Sequence, residues 1–423
     1  MQLASTSRPR AVRSKLRAAT CMLLASVAPS GAHAADAPQA APPTNQFDVT
    51  GLFYTERIRV LEPTVRFTRI YSSGRSFFGQ LSIDSVTGAS PSGMLPSGAT
   101  QTFTSASGNR RTVSATGIPT VKFTDMRFAL DGEWQQPVDR FTYAIGGHIS
   151  HEKDYDSKGV TGKLSIDLHH KLTTLTFGGG YNKDDVSPIS GITVGLSPPG
   201  LLTGDSSLPK HVKTGLIGVS QVLSRRWLVG LTGSLAAEDG YLTDPYKELS
   251  IVNRSTGLPV SQISEMRPDT RRRKSVQADS VYHFTSNILY LSYRRYWDDW
   301  GVGSHTLDAK YRLPLWDSNF VEPHLRYYNQ TAADFYHWGL IQGNPLPQFA
   351  TSDYRMAGFQ SITLGGTIGL VPQGSKHEWT IRAEYIGQFG NSFPAGTVGV
   401  QSRMDLFPTV GVFSVVLNYR FNR

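Results

Sequence analysis

The segment Val410–Phe421 reads VGVFSVVLNYRF, with only Asn422 and Arg423 after it. Counting back by two from Phe421 puts Tyr419, Leu417, Val415 and Phe413 on one side. Arg420, Asn418, Val416 and Ser414 fall on the other. Successive side chains of a strand point to opposite faces, so this is a strand with one apolar and one mostly polar face. An edge strand of a soluble sandwich would look the same. The decision rests on whether the rest of the chain repeats the pattern.

It does. Alternating stretches run at Phe47–Phe53, Val65–Tyr71, Phe77–Ile83, Met126–Trp134, Phe141–Ile149, Val160–Leu168, Leu175–Tyr181, Thr214–Leu223 and Trp227–Leu235. They resume at Val276–Tyr282, Leu289–Tyr293, Leu307–Leu315, Val321–Tyr327, Ile362–Leu370 and Trp379–Tyr385. With the last segment this makes about sixteen strands. The connections alternate as well. One set is short: SSGRS, QQPVD, HHKLT, LSRR, FTSN, WDSN and PQGSK. The other is mostly long: Asp84–Lys122, Asn182–Lys213, Glu238–Lys274, Asn329–Gly358 and Gly390–Thr409. A soluble sandwich has no reason for that asymmetry. A transmembrane antiparallel β-barrel has short turns at its periplasmic end and long loops at its extracellular end. Aromatics near stripe ends (Trp134, Phe141, Trp227, Tyr293, Trp297, Trp316, Trp379) suit interfacial girdles. The fold class is therefore all-β, a single barrel. Its last strand resembles the terminal strand that the barrel assembly machinery reads in bacterial outer-membrane proteins.

Composition agrees. No run of about 18 apolar residues exists, so no helix is expected to span a membrane. Glycine, at 41 of 423 residues, suits curved sheets and tight turns. Arg8, Arg10, Arg13, Lys15 and Arg17 precede an apolar stretch, Ala18–Ala28, and Ala32-His33-Ala34 is a small-residue cleavage site. Residues 1–34 thus read as a secretory signal peptide. Residues 35–45, rich in Ala and Pro, read as a disordered leader, and 46–423 as the barrel. The only cysteine, Cys21, lies in the signal, so no disulfide or cysteine metal site is expected in the exported chain. Five basic residues and no acids precede Ala35, which takes the formal charge of +9 down to +4 for the remainder. That excludes a strong nucleic-acid signal.

Several longer motifs lie along this frame: DSVTGASPSG (Asp84–Gly93), DGYLTDPYKEL (Asp239–Leu249), RPDTR (Arg267–Arg271) and DDWGVGSHT (Asp298–Thr306). EPHLRYY (Glu322–Tyr328), AADFY (Ala332–Tyr336), SDYR (Ser352–Arg355) and DLFP (Asp405–Pro408) follow. In this order they resemble a proteobacterial outer-membrane β-barrel family catalogued as domain of unknown function 3570. The resemblance spans nearly the whole exported chain. It implies a Gram-negative outer membrane as the location, and it brings no activity and no catalytic residues. It also implies a setting with periplasmic redox partners, which no residue here supports directly. The first hairpin, YTERIRVLEP, is shorter than the family's usual one.

Motif chemistry is sparse. There is no G-x-S-x-G, and Ser304-His305 with Asp298 and Asp299 reads as a loop entering a strand. His148 and His151, followed by Glu152 and Asp154, are three apart. On a strand that puts the two imidazoles on opposite faces, so both read as solvated, not as joint ligands. Gly178–Gly180 lies within a strand and is no phosphate cradle. No catalytic residue and no metal site is assigned, and no cofactor is expected beyond a divalent cation at the outer mouth.

Three groups of candidates remain. Asp244, Tyr246, Asp299, Asp334 and Tyr336 sit on long-loop motifs and are expected at the extracellular mouth, either as a ligand site or as a packed cap. Carboxylates there suit a divalent cation or a cationic or hydroxylated ligand, and aromatics suit sugars or flat rings. Arg294, Asp308, Lys310, Arg312, Glu322, His324, Arg326, Arg382 and Glu384 are expected to face the lumen, because intramembrane charges must pair or meet water. Arg271, Arg272, Arg273 and Lys274 form a basic run at a loop end, either a solvated rim or a contact for lipopolysaccharide phosphates. Three functions stay open. One is a channel or selective transporter for a small solute. The others are a non-conducting scaffold and an enzyme sited at the mouth. Export should remove Met1–Ala34, so N-terminal sequencing of envelope protein is expected to begin at Ala35; a chain still starting at Met1 would show that the segment is no signal peptide.

Overall fold

A computed structural model describes residues 44–55, 58–96, 101–104, 110–113, 120–316, 318–372, 374–407 and 409–422. The signal segment, Cys21, residues 35–43 of the leader and the turn of the first hairpin lie outside them. Sixteen strands close into one antiparallel barrel. In chain order they are Thr44–Thr55, Ile58–Ile70, Ser76–Pro91, Thr120–Val138, Phe141–Glu152, Tyr155–Leu168, Thr173–Val186 and Leu208–Ser224. Then come Trp227–Gly240, Thr270–His283, Ile288–Asp298, Gly303–Pro314, Phe320–Gln330, Phe359–Leu370, His377–Gly390 and Val410–Asn422. Each alternating stretch of the sequence falls on one of these strands, with Tyr71 and Leu315 one residue past the strand ends. The first and last strands pair from Gln46↔Asn422 to Thr55↔Phe413, which closes the ring. Arg420 ties the seam from inside, to Asp48 at 2.8 Å and Glu378 at 3.2 Å. Asn418 donates to the Thr50 hydroxyl at 2.7 Å.

The strands outrun the sequence pattern at the loop end. The second starts at Ile58 and the eighth at Leu208, and the tenth opens at Thr270. Thr44 and Asn45, assigned above to the leader, already belong to the first strand. The reason is physical. Where a strand projects past the apolar band, its outward positions turn polar: Lys183, Asp185, His211, Asp239, Arg272 and Lys274. Alternation then vanishes from the sequence although the hydrogen-bonded ladder continues.

The two faces are distinct. Leu130, Ile145, Leu291 and Leu364 are 51%, 67%, 41% and 55% exposed on the outside. The inner positions of the same barrel carry Asp48, Asp84, His148, Asn182, Asp184, Glu322, His324 and Glu384, all buried. Trp134, Trp227, Trp316 and Trp379 lie near the short-turn end, and Tyr293 and Trp297 near the loop end. The barrel is thus an apolar band with polar contents, the pattern of a membrane-spanning barrel.

The long loops fold on one another. Glu248–Val252 pairs antiparallel with Pro259–Ser264 and parallel with Leu340–Ile341. Leu249, Ile263 and Ala350 form a dry core under this small sheet. Trp300, Val302, Leu242, Ala333 and Phe335 form a second core, and Ala357, Phe359 and Phe407 a third. Gly257 (φ +73°) and Gly399 (φ +53°) let two loops meet backbone to backbone, and a Cβ at Gly257 would strike the Val398 carbonyl. Gln401, fully buried, donates to the carbonyls of Gly257 at 2.9 Å and Pro96 at 3.1 Å. A loop cap with its own interior therefore sits on one end of the barrel.

Leu130→Arg and Leu364→Arg each place a charge on the outer face mid-strand, at a cost of about 2–4 kcal/mol in a bilayer. Both variants should lose heat-modifiable mobility on gels at lower temperature than the parent. Parent-like behaviour of both would mean that the faces are reversed, as a one-residue slip makes them.

Candidate functional site

The cap is held by a buried ion network that joins two long loops. Arg267 meets Glu265 at 2.6 Å and Asp353 at 2.9 Å. The Arg355 Nε donates to both Asp353 oxygens, at 2.8 and 2.6 Å, and one of its terminal nitrogens reaches Asp244 at 2.6 Å. Thr351 donates to Glu265, and the Asp244 backbone N–H donates to the same carboxylate at 2.8 Å. Lys247 donates to the Pro91 carbonyl and adds a third cation to three carboxylates. Low dielectric makes such pairs strong when their lone pairs and protons are matched; here most are, and the Arg267 Nε lies close to Glu265 without a hydrogen bond of its own. Burial alone would push the Asp244 carboxyl up, but Arg355, Lys247 and Arg267 outweigh it and hold Asp244 at about 2. The same cations, against the same burial, hold Asp353 lower still. Glu265 goes the other way, because burial outweighs Arg267 there.

The five mouth candidates separate into four places. Asp244 is in the ion network. Tyr246 donates to Asp154 at 2.6 Å and takes the Ile189 N–H at 3.4 Å, anchoring its loop to the hairpin at 153–154. Burial and that bond to Asp154 push the phenol well above its ordinary value. Tyr336 packs on the Trp300 and Phe359 cores, where burial and the nearby Asp353 charge push it up to about 12. Only Asp299 and Asp334 meet, at the mouth of a cavity of about 420 Å³ lined also by Pro268, Trp300, Phe335, His337, Pro347 and Phe349.

The lumen candidates all lie at inward positions of their strands. His324 bridges Glu384 at 2.8 Å through Nδ1 and Asp308 at 2.9 Å through Nε2. Arg326 stands 3.9 Å from the same Asp308, and Arg312 donates to Glu322 at 2.8 Å. Arg294, Lys310 and Arg382 are half-buried along the same wall.

Two readings need correction. The run Arg271–Lys274 is not one patch. The strand continues through all four residues, so alternation splits them. Arg271 turns inward to Asp298 at 2.9 Å and stacks over Trp300 at 4.2 Å, and Arg273 turns inward to Glu238. Arg272 and Lys274 are exposed outside. His148, read as solvated, is buried, with Nδ1 2.6 Å from Asp131; His151 is exposed on the other face, beside Asp156. Arg267, Asp353 and Arg355 of the ion network stand in the motifs RPDTR and SDYR, and Glu265 lies two residues before the first, but nothing in the spacing marks them as partners. Asp125, Glu152 and Asp154 bring carboxylate oxygens within 4.8 Å of one another, although strand pairing, not motif spacing, assembles them.

Closed antiparallel strands, an apolar outside and a charged inside define the class, a transmembrane β-barrel, here with a folded loop cap. The chain belongs to the family described as "Protein of unknown function (DUF3570)", whose profile matches residues 13–421. No curated protein matches it. Among solved structures it is similar to the ferric enterobactin receptor (PfeA) of Pseudomonas aeruginosa, as a mutant, at 10% identity and TM-score 0.40, over 89% of this chain and 59% of that one. It is similar to the siderophore receptor PirA of Acinetobacter baumannii at 9% identity and TM-score 0.42, over 82% and 53%. It is also similar to the outer membrane protein opdK of Pseudomonas aeruginosa at 8% identity and TM-score 0.41, over 90% and 99%. The chain thus spans little more than half the length of the two receptors. Likeness of this degree speaks to neither ligand nor activity.

Asp353→Asn leaves Arg267 and Arg355 short of a counter-charge. Breaking a buried pair costs about 3–5 kcal/mol, so the loops should become protease-sensitive while the barrel keeps its folded mobility. The pH dependence follows from Asp244, whose folded carboxyl sits at about 2, against about 4 unfolded. Its contribution is fully present above about pH 4 and is lost as pH falls toward 2. Glu265, raised by burial, opposes this by favouring the cap as it takes up a proton. Protection factors for amide hydrogen exchange in residues 241–269 should therefore hold from neutral pH to about pH 4 and fall below it. Opening at a higher pH would show that Asp244 is not the controlling group.

Proposed function

We propose that this protein is an outer-membrane channel or selective transporter for a small solute, with its short turns in the periplasm and its loop cap outside. The observation that supports this best is a gradient along the inner wall. On Thr270–His283, the inward residues Arg271, Arg273 and Ser275 near the cap are buried, whereas Gln277, Asp279 and Val281 toward the turns are half-buried. On Gly303–Pro314, Ser304 and Thr306 are buried, and Asp308, Lys310 and Arg312 are half-buried. On these two strands the inner wall is thus more open toward the turn end than beneath the cap, whereas Phe320, Glu322 and His324 on the next strand are buried. Sixteen strands give a barrel wide enough for an aqueous lumen. Mixed charges along such a wall sort solutes by sign and hydration. In this reading the cap is the outer gate.

A non-conducting scaffold is the second reading, and the buried cap network favours it. Within either reading, Arg272 and Lys274 are the pair facing lipopolysaccharide phosphates, since they alone of the basic run lie outside. Export by the N-terminal signal and assembly through the last strand complete the proposal.

Purified protein in a planar bilayer should pass discrete currents. Arg312→Ala with Arg326→Ala should move the reversal potential toward cation preference, since two inner-wall cations are lost. Absence of current in the parent and in a cap-weakened Asp353→Asn variant would favour the scaffold.

A further inference from the structure

The cavity beside the ion network has walls unlike the rest of the cap. Its sides are Phe335, Phe349 and two prolines, Pro268 and Pro347. Its charged members are both acids. Asp299 and Asp334 come from different loops and are both held at the turn that carries Trp300. Asp299 follows Trp300's turn-mate Asp298 and accepts the Arg272 backbone N–H at 2.8 Å. Asp334 donates its own backbone N–H to the Trp300 carbonyl at 2.9 Å. Its carboxylate lies against Gly301 (φ +81°), where any Cβ would strike it. Neither acid has an ion pair among the described residues, and both are exposed. Among the described residues no lysine or arginine lines the cavity. Arg271, beneath Trp300, is already neutralised by Asp298.

We propose that this cavity binds a small organic cation, an ammonium or guanidinium on an apolar body, with Asp299 and Asp334 taking the charge and Phe349 and the prolines taking the body. The chemistry excludes the other ligand classes expected at a barrel mouth. An anion would face two carboxylates and no cation. Calcium takes six to eight oxygen ligands, and carbon walls supply none of them. A sugar needs an open aromatic face, but Trp300 and Phe335 are 2% and 7% exposed and Arg271 covers one side of the Trp300 ring. An organic cation matches both features, since few polar groups fix its orientation while apolar walls hold the rest. His337, which burial keeps toward its neutral form, adds no competing charge. The inference does not depend on conduction, because a scaffold with this mouth would bind the same ligand.

The test is calorimetric titration of the detergent-purified full chain with phenethylammonium, phenylacetate, 2-phenylethanol, glucose and calcium chloride as probes. Phenethylammonium should bind with one site per chain, at least tenfold tighter than the neutral alcohol, with no heat from the anion. Asp299→Asn and Asp334→Asn should each weaken it at least tenfold and leave heat-modifiable mobility unchanged. Phe349→Leu, which keeps both charges, should weaken it less. Equal binding of the alcohol or the anion overturns the proposal. So does saturable binding of calcium or glucose lost in Asp334→Asn, or phenethylammonium binding that both asparagine variants retain. Absence of binding by a folded parent overturns it as well. Currents measured in the same preparation report on the channel reading separately.

Discussion

A strand in hydrocarbon has no water to satisfy its N–H and C=O groups, so a sheet that crosses a membrane must have no edge. Here that condition is met by one pairing, between Thr44–Thr55 and Val410–Asn422, residues nearly four hundred positions apart. The seam is the most non-local contact in the fold, and side chains reinforce it where backbone pairing alone would be weakest against slippage. Arg420 holds carboxylates on both neighbouring strands, and Asn418 reaches Thr50. Closure then sets everything else. It divides each strand into a lipid side and an inner side, and it gathers the loops of distant hairpins onto one rim.

The rim is where this barrel departs from a bare pore. Loops usually carry their polar backbone at the surface, because burial would leave it unsatisfied. These loops bury theirs by pairing with one another, as a small sheet and through side chains such as Gln401 and Ser352, which reach the carbonyls of other loops. The ion network is a further device of that kind. Replacing buried ion pairs by apolar residues often leaves stability unchanged or improves it. A network of three acids and three bases therefore argues for geometric specificity: it defines one way for residues 241–269 and 331–358 to meet. That precision also positions Asp299 and Asp334 about the Trp300 turn. The proposed binding site and the proposed outer gate thus rest on one packed assembly.

The strand count and the facing of mid-strand residues were legible in the sequence because lipid imposes period-two apolarity on one side for about ten residues at a time. The inward position of His324, Asp308 and Glu384 followed from the same parity. Legibility stopped at the edge of the apolar band. Past it, Arg271 and Arg273 alternate with Arg272 and Lys274, four basic side chains in a row whose division between inside and outside no hydropathy pattern marks. Acids in loop motifs stood out by composition, but Arg267 and Arg355, in the motifs RPDTR and SDYR, and Glu265, two residues before the first of them, carry no signal of pairing.

The sequence by itself determined that this chain is a barrel of about sixteen strands, which face meets lipid, and which end bears the long loops. Those are local properties, written in alternation and turn length. The tertiary structure alone decided that the loops form a cap with dry cores, that Tyr246 is an anchor on Asp154, and that Asp299 and Asp334 share a cavity. Each of these depends on residues brought together by closure from loops dozens to hundreds of positions apart. A contact of that kind costs loop-closure entropy and is returned as burial only when the whole ring is formed, so no stretch of the chain contains it.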